Sequence, residues 1–171
     1  MQEDGMAEIQ DLYDIHRRPT GEIFTRGASI PQGRFRLGVQ VWLRNCKGEY
    51  LLTQRHPAKK LPLLWEPTGG AVRAGEDTLA AAVREVSEEI GIALDPAQLR
   101  LIRTALCQDI EFLDTYLAEW NGSLDQLTLQ SDEVIDAMWA SRATMADMDR
   151  RGLLACDWQY LDFPPSTTDK R

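Results

Sequence analysis

Basic residues are in the minority in this chain, cysteines are few, and no apolar run is long. The 19 lysines and arginines face 27 aspartates and glutamates, leaving a formal net charge of −8. That balance argues against a protein that grips a nucleic acid polymer through its phosphates. It leaves room for a small anionic substrate, because bound metal ions invert the local charge. The three cysteines, Cys46, Cys107 and Cys156, are odd in number, far apart and free of metal-ligand spacing. They read as thiols in a reducing cytoplasm. No stretch approaches the length needed to span a bilayer, and no apolar run follows a basic start. Neither a membrane partner nor a signal peptide is expected, and cytoplasmic localisation is the default. Internal repeats and low-complexity tracts are also missing.

What is present is ordinary globular material. With 171 residues, 43% of them hydrophobic and 27% charged, the chain can bury a sizeable core as one domain. The expected organisation is a flexible start (1–8), a single domain (9–163) and a tail (164–171) beginning at Pro164-Pro165. Alternation suggests strands over Ile9–Ile15 and Glu22–Arg26, joined through Arg17-Arg18-Pro19-Thr20-Gly21 as a hairpin. The strongest strand is Phe35–Arg44, whose period of two puts Phe35, Leu37, Val39, Val41 and Leu43 on one face. Asn45-Cys46-Lys47-Gly48 turns it into a partner strand, Glu49–Arg55. Later strands are expected over Leu99–Cys107, Ile110–Trp120 and Val134–Ala140, with Leu124–Gln130 either a loop or a short edge strand. A second helix is expected over Thr144–Leu154.

Between these lies the most informative stretch. Gly75-Glu76-Asp77-Thr78 is a plausible helix start, with acid at the positive end of the dipole. Leu79–Ile90 continues with Leu79, Ala82, Val83, Val86 and Ile90 inward, and Gly91 is placed as a left-handed stop. Glu85, Glu88 and Glu89 then fall on one strip of the helix surface. A glutamate-rich strip is commonly a solvated face. Three like charges also suit a hard divalent cation with oxygen ligands, which would sit among them. The paired Gly69-Gly70 upstream let backbone approach a ligand closely.

The whole of 70–92 reads Gly70-x5-Glu76-x7-Arg84-Glu85-Val86-x-Glu88-Glu89-x-Gly91-Ile92. A match at all these positions has a chance frequency on the order of one in 10⁷ for a chain this long. It resembles the Nudix box, G-x5-E-x7-R-E-U-x-E-E-x-G-U with U a bulky aliphatic, at every position. The resemblance implies the Nudix α/β/α sandwich, an α/β fold with a central mixed β-sheet, here with an N-terminal β-hairpin.

It also implies hydrolysis of a phosphoanhydride, typically in a nucleoside diphosphate linked to another moiety, with Mg²⁺ or alternatively Mn²⁺. Carried over by position, Glu85, Glu88 and Glu89 are the expected metal carboxylates, joined by the carbonyl of Gly70 or its neighbour. Arg84 lies one turn before Glu88 and is expected to hold it, while Glu76 braces the loop and Gly91 stops the helix. For a general base, Glu88 and Glu89 are candidates, as are Asp109, Glu111, Asp132 and Glu133, with Glu133 favoured in its polar loop before a strand. Arg55 and Lys59 are expected to meet phosphate, with His56 and Lys60 beside them, and Trp65 to stack on a base. Family members often pair, so a homodimer is an expectation too.

Two other functions compete. Leu12-Tyr13-Asp14, Arg18-Pro19-Thr20-Gly21 and Arg26-Gly27 resemble Nudix proteins related to isopentenyl diphosphate isomerase. In the isomerases a catalytic cysteine lies in Cys-x-His-Pro, where this chain has Trp65-Glu66-Pro67-Thr68-Gly69-Gly70. They also depart from the box that is whole here. A non-catalytic binding or regulatory domain would typically have lost the metal carboxylates, and all three are present. Hydrolase is the expected activity.

Overall fold

The computed structural model describes residues 8–162. The expected flexible start and C-terminal tail therefore lie outside the described residues, Glu8 excepted.

Asp14 makes the first turn. Its Oδ1 accepts the backbone N–H of His16 (2.8 Å) and of Arg18 (2.9 Å), leaving Arg17 with φ 58°. The flanking strands β1 (Ile9–Tyr13) and β2 (Pro19–Thr25) pair antiparallel as the expected hairpin, the return strand starting earlier than its alternation suggested.

The next strand, β3 (Arg36–Arg44), organises the second sheet. One end pairs antiparallel with β6 (Thr68–Ala71), and the other meets β4 (Tyr50–Arg55) at Arg44 and Tyr50. Along its opposite edge β8 (Glu111–Glu119) runs parallel to it, from Arg36 beside Glu111 to Arg44 beside Glu119. Strand β7 (Arg100–Cys107) adds antiparallel to β8, while β5 (Trp65–Glu66) and β9 (Val134–Ala140) add to β4. The result is a seven-stranded mixed sheet.

A helix covers each face. In α1 (Thr78–Ile90), the Asp77 side chain caps the N–H of Ala80 (2.8 Å), and Gly91 ends the helix at φ 75°. Its Ala82, Val86 and Ile90 pack on Leu37, Val39 and Val41. Leu79 and Val83 are half-buried against the same cluster. On the other face, α2 (Arg142–Arg150) sets Met145 and Met148 against Trp42, Leu52 and Trp158. The α/β/α sandwich is present, with both faces of β3 buried rather than the single face its alternation suggests.

One boundary is corrected. The second helix spans Arg142–Arg150, not Thr144–Leu154, because Ser141 caps the N–H of Thr144 and Gly152 turns the chain at φ 66°. The stretch expected as loop or edge strand holds one 3-10 turn, Leu124–Gln126. Beyond it the backbone docks on the end of α1, with the N–H of Thr128 on Ile90 O (3.0 Å) and that of Gln130 on Glu89 O (2.9 Å). Those carbonyls have no partner within the helix itself.

The hairpin is fastened to this body at several points. Tyr13 and Phe35 exchange backbone hydrogen bonds of 2.8 and 2.9 Å, and Ile9 O accepts the N–H of Ala74 (2.8 Å). The Asp11 carboxylate accepts the N–H of Gly75 (2.7 Å). Arg17 forks onto Asp114 at 2.8 and 2.9 Å. Asp114 is 3% exposed and also accepts from Thr104 (2.6 Å) and Thr78 (2.8 Å). Burial alone would raise the Asp114 pKa, but Arg17 and the two hydroxyls outweigh it and hold the carboxyl below its usual range.

Candidate functional site

A cleft of about 840 Å³ opens between the hairpin, the face of the sheet and the acidic strip of α1. Strand β6 forms its floor because two glycines let it lie there. A Cβ on Gly69 would strike the backbone carbonyl of Val39. One on Gly70 would sit 2.7 Å from Glu85 Oε2 and overlap the carboxyl carbon. The helix thus presses a carboxylate directly onto the strand backbone.

Of the three box carboxylates, Glu85 and Glu89 are buried at 8% and 6% exposure, and Glu88 is exposed at the rim. Arg84 holds the group together, meeting Glu76 at 2.9 Å, Glu85 at 2.7 Å, Glu88 at 3.1 Å and the carbonyl of Ala71 at 2.9 Å. Arg73 forks onto Glu88 at 3.1 and 3.2 Å. Glu76 also accepts the N–H of Arg73 (3.1 Å), tying the loop to the helix.

Burial acts on the two inner carboxylates. Burial pushes the Glu85 pKa up, and Arg84 only partly offsets it. Burial, reinforced by the negative charge of Glu85, pushes Glu89 up to about 8, against a weak pull from Lys59. Its Oε2 accepts the N–H of Gly69 at 3.3 Å.

The other wall comes from the segments around β4, β5 and β9. Arg55 pairs with Glu66 and Lys59 with Glu133, and all four line the cleft. Gln130 and Glu133 reach it because the chain has been docked on the end of α1, and Glu133 O accepts the N–H of His56 (2.9 Å). Of the remaining general-base candidates, Glu111 lies in the cleft, paired with Arg36 at 3.0 Å, and burial raises its pKa. Asp109 lies in an exposed turn at φ 55° and Asp132 is exposed, and neither lines the cleft. His56 and Lys60 stay outside it as well.

Trp65 does not stand where stacking on a bound base requires it. It packs with the α2-side cluster, beside Met138 and Leu153. Neighbouring residues of a strand face opposite ways, so Glu66 enters the cleft and Trp65 leaves it. The sequence reading passed over Glu66 and Arg73. Glu66 offered a signal, as the one charged residue just before the Gly-Gly approach.

The lining carries seven glutamates against five basic residues. Such a site repels a diphosphate unless cations join it. The donor set is all oxygen, two of the carboxylates are buried, and a backbone strand lies bare beside them. That fits a hard divalent ion. Among the described residues no three acidic, histidine or cysteine side chains already converge as a cage. Glu88 is instead held by the two arginines.

Comparison with known proteins agrees with this geometry. A family model described as the NUDIX domain matches residues 34–155. An uncharacterised Nudix hydrolase of Listeria monocytogenes is 31% identical over 147 residues, covering 85% of this chain and 86% of the relative. The isopentenyl-diphosphate Delta-isomerase of Escherichia coli K12 is 26% identical over 158 residues, covering 87% and 83%. A crystal structure of a Deinococcus radiodurans protein superposes with a TM-score of 0.74 at 21% identity, over 88% of this chain and 93% of that one, and so shares the fold. None of the three cysteines lines the cleft, which removes the thiol that an isomerase would need there. The chain belongs to the Nudix hydrolase family, enzymes that cleave pyrophosphate bonds.

Proposed function

We propose that the protein hydrolyses the diphosphate bond of a nucleoside diphosphate linked to another moiety, with Mg²⁺ as its cofactor and Mn²⁺ as a substitute. The observation that carries this reading is the pair of buried carboxylates, Glu85 and Glu89, pressed against the bare backbone at Gly70 in an open cleft. Glu85, Glu88, Glu89 and the Gly70 carbonyl would hold the ion, Glu88 turning from Arg73. When bound, the ion neutralises phosphate oxygens and acidifies a bound water.

The chain's own residues supply the rest. Arg84 fixes Glu85 and Glu88, and through Glu76 it fixes the loop that leads into the helix. Arg55 and Lys59 offset phosphate charge on the opposite wall. Glu133, steered by Lys59, takes the proton of the attacking water, with Glu88 and Glu89 as the other carboxylates able to do so. Three free thiols suit a reducing cytoplasm.

The test is hydrolysis of a panel of nucleoside diphosphate derivatives with and without Mg²⁺, in wild type and in Glu89→Gln. The expected result is Mg²⁺-dependent turnover that falls by roughly 10²–10⁴-fold in the variant, which keeps its melting temperature. Turnover that ignores Mg²⁺ or survives Glu89→Gln intact would remove the reading.

A further inference from the structure

The hairpin end of the cleft is walled by Glu8, Glu111 and Gln40, each with a polar partner, and by Gln10, whose side-chain carbonyl has none among the described residues. Glu8 is tied to Arg26 at 3.0 Å, and Glu111 to Arg36 at 3.0 Å. The Gln40 Oε1 accepts the Tyr160 hydroxyl at 2.8 Å, and that hydroxyl accepts the Trp42 indole N–H at 2.7 Å, so the Gln40 amide is fixed. Gln10, on the inward face of β1, also lines the cleft and is 1% exposed. Its Oε1 is buried and accepts no hydrogen bond from any described residue.

A buried carbonyl with no donor costs free energy, and native structures rarely keep one without a use. The position is not slack. Gln10 lies between Ile9, whose carbonyl binds Ala74, and Asp11, whose carboxylate binds Gly75, so its strand is pinned to the loop that starts the box helix. Gln10 therefore lines the same cleft as Glu85, Glu88 and Glu89, on a strand tied to the loop that leads into their helix.

We infer that Gln10 is a specificity-determining residue: its carbonyl accepts a hydrogen bond from an N–H or O–H of the organic group attached to the diphosphate. The substrate class is then a diphosphate whose organic part carries such a donor, as nucleosides do. A prenyl diphosphate carries none and would leave the carbonyl unmet. This inference rests on the diphosphate-hydrolase reading of the site, and its test separates the two.

The test measures binding, by calorimetry on the full chain with Mg²⁺, of three probes: inorganic pyrophosphate, isopentenyl diphosphate and a set of non-hydrolysable nucleoside diphosphates. Each is compared in wild type, Gln10→Met and Gln10→Leu, with thermal melts alongside. Nucleoside diphosphates should lose roughly five- to ten-fold in affinity in both variants, while pyrophosphate and isopentenyl diphosphate stay unchanged. The variants should melt no lower than wild type, since they delete an unmet carbonyl. Equal changes for all three probes, or none for the nucleoside set, would overturn the role of Gln10 alone. Failure of pyrophosphate to bind wild type would overturn the site reading and this inference together.

Discussion

Gly70 carries no side chain where the carboxylate of Glu85 lies, 2.7 Å from the position a Cβ would take to Oε2 alone. Strand and helix are thus in contact through a charged group and a hydrogen atom, and the contact sits where the ion is proposed to bind. Gly70→Ala should push Glu85 off its place against Arg84 and lower turnover by about 10²-fold, since an ångström of misplacement costs that much. Activity assays paired with thermal melts check it. An active Gly70→Ala would mean that Glu85 has room to spare.

If Glu89 holds the proposed ion, it links pH to metal binding. Its carboxyl is pushed from 4.5 up to about 8 by burial and by Glu85. Between those values the folded metal-free protein keeps a proton that the unfolded chain has released. Its stability therefore falls as pH rises through that window, and Glu89→Gln should flatten the fall. On the proposed reading Mg²⁺ would displace the same proton, so its affinity should rise with pH up to about 8 and binding should release protons. Calorimetry at pH 6.5 in buffers of different ionisation enthalpy reads this directly; identical heats in all buffers would contradict it.

Among the described residues Arg84 is the single cation serving Glu76, Glu85 and Glu88 at once. Its side chain is 15% exposed, so removing it strands partly buried carboxylates. Arg84→Ala should cost about 2–3 kcal/mol in denaturant unfolding. Arg84→Lys should recover less than half of that, because an ammonium cannot fork. Added Mg²⁺ should restore stability to the alanine variant by replacing the lost charge.

The fork of Arg17 on Asp114 fastens the hairpin tip. Since Asp114 is held below its usual pKa of 3.8, its contribution is complete above that value and fades as pH falls below it. Arg17→Met should cost about 1–2 kcal/mol at pH 7. The variant should also show a smaller stability difference between pH 7 and pH 3 than wild type does. Urea unfolding at both values is the measurement.

Much of this site can be read along the chain, because the box helix is local. Arg84, Glu85, Glu88 and Glu89 lie within two turns of one another, and helical spacing alone sets their neighbours. Asp77 and Gly91 mark the helix ends by chemistry that needs no tertiary context. What could not be read is what other strands bring. Arg36 meets Glu111 only because β3 and β8 run parallel in one register, and Gln10 meets the cleft only through the docking of β1. Trp65 was misplaced for a related reason: an aromatic leading into the glycines suggests a base, but strand alternation decides which side it serves. Glu133 was legible as a polar loop residue, and its pairing with Lys59 follows from β9 lying beside β4.

The end of α1 is completed by Thr128 and Gln130, whose N–H groups take the carbonyls of Ile90 and Glu89. Those donors lie some forty residues beyond the helix end they meet. A nascent chain stopped after Trp120 would hold every residue of the motif and both central strands, yet leave the carbonyl of Glu89 without its donor. The site is therefore completed by the far half of the chain, which the motif alone does not supply.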